Sequence, residues 1–94
     1  MALQQYIRIN MVMNNPNNKE LVLYTRVGCH LCDQVADLLR AMEIGWTAVQ
    51  IDTDPDLERK YDIRIPVLYL PDTGKELFFP FNKGRILEFL QGDA

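Results

Sequence analysis

The strongest constraint on the fold is a short apolar run that leads almost directly into an amphipathic helix pattern. Leu21-Val22-Leu23-Tyr24 is β-prone and carries no charged side chain, as a central strand buried on both faces requires. It ends at Gly28. From Cys32 onward, Val35, Ala36, Leu38, Leu39 and Met42 recur at helical spacing, with Asp33, Asp37, Arg40 and Glu43 on the other side. Gly45 is the expected stop, since a glycine readily takes the left-handed conformation that closes helices. Trp46 to Ile51 then reads as a second strand. A helix between two strands is a crossover, and crossovers favour parallel pairing.

The remainder of the chain supplies one short helix, a hairpin and a closing helix. Asp54 followed by Pro55 predicts a capped helix through about Tyr61, because Asp accepts the orphan amides and Pro fits the first helical position. Val67-Leu68-Tyr69-Leu70, Pro71-Asp72-Thr73-Gly74 and Glu76-Leu77-Phe78-Phe79 spell strand, turn, strand. Asn82 is the expected cap of a last helix with Ile86, Leu87 and Leu90 facing inward, closed by Gly92. The order is βαβ, α, ββα. Before it, residues 1–19 read as an N-terminal extension and linker: two apolar-rich patches, Tyr6 to Ile9 and Met11 to Met13, precede Asn14-Asn15-Pro16-Asn17-Asn18. Residues 20–94 are the expected domain.

With 94 residues, 48% of them hydrophobic, there is material for one modest core. The net charge of −3 is scattered over 13 acidic and 10 basic residues, and no one-signed block points to a nucleic-acid or membrane partner. Residues Met1 to Asn18 do not read as a secretory signal, and no apolar run is long enough to span a bilayer. The expected compartment is a reducing cytoplasm, where a close cysteine pair is more often catalytic or metal-binding than a structural staple.

Cys29 and Cys32 fall where the first strand gives way to the helix. The first helical amides have no partner there, and the positive dipole end favours an anion. A thiolate at Cys29 would be stabilised in this position, and the thiolate is the nucleophile in disulfide exchange. Cys32, about one turn deeper, is placed to resolve the mixed disulfide that Cys29 would form. An isolated C-x-x-C also serves as half of a zinc site. This chain has two cysteines and one histidine, His30, so a closed mononuclear site would need carboxylates, and a site or iron–sulfur cluster bridging two chains is the remaining metal reading.

Two further residues have competing readings. His30, when protonated, would lower the Cys29 pKa, but it reads equally as an exposed spacer. Pro66 cannot donate a ladder hydrogen bond, so it marks the start or edge of the third strand. Nothing local makes the Ile65–Pro66 bond cis.

Taken together, Tyr24-Thr25-Arg26-Val27-Gly28-Cys29-His30-Leu31-Cys32, Ile65-Pro66-Val67 and the hairpin resemble the glutaredoxins and their thioredoxin-superfamily relatives over residues 20–91. Asp52-Thr53-Asp54 and Arg64-Ile65-Pro66-Val67 make the chain most similar to small bacterial glutaredoxin-like proteins grouped as a domain of unknown function. The resemblance implies a thioredoxin-like α/β fold with a central four-stranded mixed sheet flanked by helices. It further implies that Cys29 attacks, that Cys32 resolves, that Pro66 is a cis-proline facing them, and that Ile65 offers its backbone to substrate. Arg26 stands where glutaredoxins usually carry a lysine that engages a glutathione carboxylate. The alternative for Arg26 is a solvated surface charge. The glutaredoxin Gly-Gly and polar cap before the last helix are replaced by Phe79-Pro80-Phe81-Asn82, which removes half of the expected glutathione site. Thioredoxin features are also missing: Gly28 replaces a tryptophan, Leu23 a buried aspartate, and His30-Leu31 a Gly-Pro. Trp46 reads as a packing residue, and Phe78, Phe79 and Phe81 read as core before they read as a partner-binding patch.

The leading expectation is a thiol–disulfide oxidoreductase acting on protein disulfides or mixed disulfides. It would bind no cofactor or metal and be reduced either by glutathione as co-substrate or by a flavin disulfide reductase. The competing expectation is a non-catalytic adaptor with the same fold, its cysteines a redox sensor or a metal clip.

Overall fold

A computed structural model of the chain describes residues 20–92. The expectations for residues 1–19 lie outside the described residues. Strand β1 (Val22–Thr25) is followed by helix α1 (His30–Ala41), strand β2 (Thr47–Gln50), helix α2 (Pro55–Tyr61), the hairpin strands β3 (Val67–Leu70) and β4 (Lys75–Phe78), and helix α3 (Lys83–Gln91). Single 3-10 turns at Ile51–Thr53 and Asp62–Arg64 flank α2. The four strands form one mixed sheet in the order β2-β1-β3-β4. β1 and β2 run parallel, as the crossover requires, while β1–β3 and β3–β4 are antiparallel. This is the thioredoxin-like α/β fold.

The sheet divides the interior into two cores because successive strand residues point to opposite faces. Leu21, Leu23, Leu68, Leu70 and Leu77 face α1 and α3, where they meet Val35, Leu39, Ile86, Phe89 and Leu90. On the other face Val22, Tyr24 and Val67 pack with Ile51 and Tyr61 under α2. There the Tyr24 ring stacks on Tyr61 at 4.5 Å between centroids and lies 5.6 Å from Tyr69. The Tyr61 hydroxyl donates to the Glu76 carboxylate on β4, which also accepts from Lys60 Nζ at 3.2 Å. Two consecutive residues of α2 are thus tied to an edge strand.

Several boundaries differ from the sequence reading. Helix α1 starts at His30 instead of Cys32 and stops at Ala41, before Gly45. The stop is built on Glu43, in the left-handed region at φ 60. Its amide donates to the Arg40 carbonyl and the Ile44 amide to the Leu39 carbonyl, both at 2.9 Å. This pair of bonds is the Schellman arrangement, and Ile44 completes it by joining Leu39 in the core. Burying Ile44 fixes the turn one residue before it, so a glutamate takes the place usually held by glycine. β2 is shorter than Trp46 to Ile51, because Ile51 leaves the ladder for the 3-10 turn and a buried position. β4 begins at Lys75 and ends at Phe78. In α3, Leu87 is exposed and Phe89 is buried in its stead: Ile86, Phe89 and Leu90 form the inward stripe at i, i+3, i+4. Asp54 and Asn82 cap their helices as expected, accepting from the amides of Asp56 and Arg85, each at 2.9 Å. Among the described residues, no helix is long and apolar enough to cross a membrane.

Candidate functional site

A tight turn delivers Cys29 from the end of β1 to the start of α1. The Cys29 amide donates to the Arg26 carbonyl at 3.2 Å, and Gly28 sits at φ +86, a conformation that a residue with a Cβ enters only at a cost. Cys29 is itself the N-cap of α1: its backbone is extended, and its Sγ accepts the Cys32 amide at 3.1 Å. A sulfur therefore occupies the place where a Ser or Asp oxygen normally satisfies an orphan helix donor. Negative charge at that sulfur faces the unpaired amides and the positive end of the helix dipole. The two cysteines are joined in a disulfide with their Cα atoms 5.2 Å apart, an ordinary separation for such a bond. The pair is asymmetric. Cys32, one turn in, is 1% exposed, while Cys29 is half-buried.

The surrounding residues divide between two sides of the pair. His30 and Leu31 are exposed at the first positions of α1, and His30 makes no side-chain hydrogen bond among the described residues. Ile65–Pro66 is a cis peptide, with Pro66 buried and Ile65 half-buried. The register pairs Tyr24 with Val67, so the next residue back, Pro66, lies alongside Thr25 at the end of β1 from which the cysteine turn springs. A second cis peptide, Phe79–Pro80, was not anticipated from the sequence. Phe79 and Phe81 meet edge to face at 5.7 Å and pack on the core, whereas Phe78 faces outward. Trp46 is half-buried against the same core, under the Arg40 guanidinium at 5.2 Å.

Arg26 has partners that the sequence did not suggest. Its guanidinium donates to Asp62 at 3.1 Å and to Glu58 at 3.5 Å, tying the cysteine turn to the end of α2. Neither contact was legible, because the acidic residues are more than thirty positions away. Ile63 was also missed, while the sequence placed Arg64 only in the approach to Pro66 and read Phe78 as core before partner-binding patch. With Leu31, Ile65 and Phe79 these three line one groove. Among the described residues, no three His, Cys, Asp or Glu side chains come together to hold a metal ion.

The model of the glutaredoxin-like domain family (DUF836) matches residues 20–91. The chain belongs to that family. Among curated proteins none matches this glutaredoxin-like chain. Among solved structures it is similar to the Northeast Structural Genomics target protein XcR50 from X. campestris, at 42% identity and a TM-score of 0.68 over 77% of this chain and 96% of that one. Protein Ne2328 from Nitrosomonas europaea is 32% identical, with a TM-score of 0.62 over 79% and 87% of the two chains. At 20% identity, the alkylhydroperoxide reductase protein AhpF of Enterococcus faecalis shares the fold, with a TM-score of 0.58 over 96% of this chain and 45% of that one. A glutaredoxin-like domain carrying a bonded Cys29–Cys32 pair at a helix N-terminus fits a redox role.

Proposed function

We propose that this glutaredoxin-like chain is a dithiol–disulfide oxidoreductase acting on protein disulfides or mixed disulfides, with Cys29 as nucleophile and Cys32 as resolving thiol. The observation that carries the reading is the asymmetry of the pair: Cys29 Sγ accepts the Cys32 amide at the helix N-cap while Cys32 is buried. In the reduced protein the same amide and the helix dipole favour the Cys29 thiolate over the thiol. That thiolate attacks one sulfur of the substrate disulfide, forming a Cys29–substrate bond and expelling a thiolate that takes a proton from solvent. Cys32 then loses its proton and attacks Cys29 Sγ. The second substrate thiol departs, and the intramolecular disulfide seen here remains. Two electrons and two protons pass to the substrate. Glutathione or a flavin disulfide reductase would return the pair to the dithiol.

Burial of Cys32 supports its role, since a thiol screened from bulk reagent reacts with the sulfur one turn away before it reacts with anything in solution. A Cys32→Ser variant mixed with a peptide disulfide should accumulate a peptide adduct on Cys29, detected by mass. A Cys29→Ser variant should not. Equal adduct formation on either single cysteine would reject the assigned roles.

A further inference from the structure

We propose that the groove beside the cysteine pair selects polypeptide disulfides that carry an apolar side chain and a carboxylate within two residues of the bonded cysteine, with Arg64 reading the carboxylate. The proposal rests on the thiol–disulfide reading above and names its substrate. The groove is open, encloses about 410 Å³ and is lined by Leu31, Ile63, Arg64, Ile65, Phe78 and Phe79. It adjoins the chemistry at two points, because Leu31 lies between the cysteines and Ile65 precedes Pro66. Leu31 is 42% exposed, Ile63 91% and Phe78 37%. Apolar surface gathered at one place in this way is what binding surfaces present.

The charges say what kind of partner covers it. Arg64 is the one charged residue of the lining, and its guanidinium lies over the Phe78 ring at 5.4 Å. It makes no ion pair among the described residues, whereas Arg26 is engaged by Asp62 and Glu58, and Lys60 by Glu76. A guanidinium over an aromatic face has its N–H donors in its own plane and not blocked by the ring, and that planar fork grips a carboxylate with two hydrogen bonds. The chain as a whole carries −3, so its overall field does not gather anions. Selection of an acidic partner therefore falls to this local contact. A bare anion would leave Leu31, Ile63 and Phe78 in water. A polypeptide segment covers them and supplies the carboxylate together.

The test uses the full chain, reduced and then freed of reductant, mixed with symmetrical disulfide dimers of the end-blocked peptides Ala-Leu-Cys-Glu-Ala, Ala-Leu-Cys-Gln-Ala and Ala-Leu-Cys-Lys-Ala, and of the same three with the flanking residues exchanged. The rate constant for oxidation of the protein is read for each, with 2-hydroxyethyl disulfide as a small neutral oxidant. In at least one flanking order the wild type should react about ten times faster with the Glu dimer than with the Gln dimer, and slowest with Lys. Arg64→Ala should bring the Glu-to-Gln ratio to one, and Arg64→Lys should keep part of it. Equal wild-type rates for Glu and Gln in both orders, or a preference that survives in Arg64→Ala, would overturn the proposal. Oxidation by 2-hydroxyethyl disulfide in that case would leave the redox reading standing. Failure of every disulfide, 2-hydroxyethyl disulfide included, would overturn both.

Discussion

The guanidinium of Arg26 donates to the carboxylate of Asp62 at 3.1 Å, and Glu58 accepts from the same nitrogen at 3.5 Å. Two carboxylates therefore already surround the cation that the glutaredoxin resemblance assigns to glutathione. An incoming glutathione carboxylate has to displace them. At the other end of such a ligand, Phe79-Pro80-Phe81 stands in place of glycines, and proline has no amide hydrogen to offer.

Glutathione should accordingly be a weak partner. Losing one charge-assisted contact of about 1.5–3 kcal/mol corresponds to roughly ten- to hundred-fold weaker engagement. The formation constant of the glutathione mixed disulfide on a Cys32→Ser variant, compared with that of a glutaredoxin in the same buffer, measures this. Adding Arg26→Ala should change it less than twofold, while Asp62→Asn with Glu58→Gln should strengthen it. A constant equal to the glutaredoxin's that falls with Arg26→Ala would show that the arginine recognises glutathione after all.

Glu43→Gly should stabilise the protein. Glu43 holds the left-handed conformation that ends α1, and a residue with a Cβ loses about 1–2 kcal/mol there relative to glycine. Part of this gain is offset because glycine also gives the unfolded chain more freedom. A net gain of about 1 kcal/mol corresponds to a rise in Tm of about 4–8 °C for a domain of this size. Thermal unfolding of the oxidised protein provides the measurement, and an unchanged or lower Tm would contradict the assignment of strain to Glu43.

The acid limb of stability should depend on Glu76. The hydrogen bond from Tyr61, with smaller contributions from Lys60 and the charge of Arg64, holds its carboxyl below the ordinary value of 4.5, against the opposing effect of burial. A carboxyl whose pKa is lowered by folding adds stability at pH above its unfolded value. That stability is lost as pH falls through the lower folded value. Urea unfolding of wild type and Glu76→Gln at pH 7 and at pH 3 should show a difference at pH 7 that shrinks at pH 3. At the alkaline end the sign reverses. Burial, and then the bond to Glu76, push the Tyr61 hydroxyl above its ordinary value of 10, and burial does the same for Tyr24. Stability present below pH 10 should therefore fall above it, less steeply in Tyr61→Phe, which at neutral pH should cost about 1.5–3 kcal/mol for the lost hydrogen bond to a charged acceptor.

The order of elements was legible because its signals are local: the apolar run of β1, the helical spacing after Cys32, the Asp54-Pro55 and Asn82 caps, and the Pro71–Gly74 turn all act within a few residues. The cysteine pair was legible for the same reason, since its position between strand and helix defines its electrostatics. What escaped depends on tertiary packing. Glu43 takes the left-handed turn because Ile44 has to reach Leu39. Phe89 displaces Leu87 from the inward stripe because the sheet sets the rotation of α3. Asp62, which pairs with Arg26, and the Ile63–Ile65 side of the groove lie on a 3-10 turn and the residue after it, whose positions no periodicity describes.

The pH dependence of Cys29 alkylation measures the reactivity of the nucleophile directly. Reduced Cys32→Ser and Cys29→Ser variants, each with one thiol, are treated with iodoacetamide from pH 5 to 10. The Cys29 thiol should react along a titration curve whose midpoint lies below the value of about 8.5 of an ordinary thiol, because the Cys32 amide and the α1 dipole stabilise its anion. The Cys32 thiol should react at least ten times more slowly at neutral pH, because it is 1% exposed. Equal rates for the two thiols, or a Cys29 curve centred at or above that of a free thiol, would contradict the assignment of nucleophile and resolving thiol.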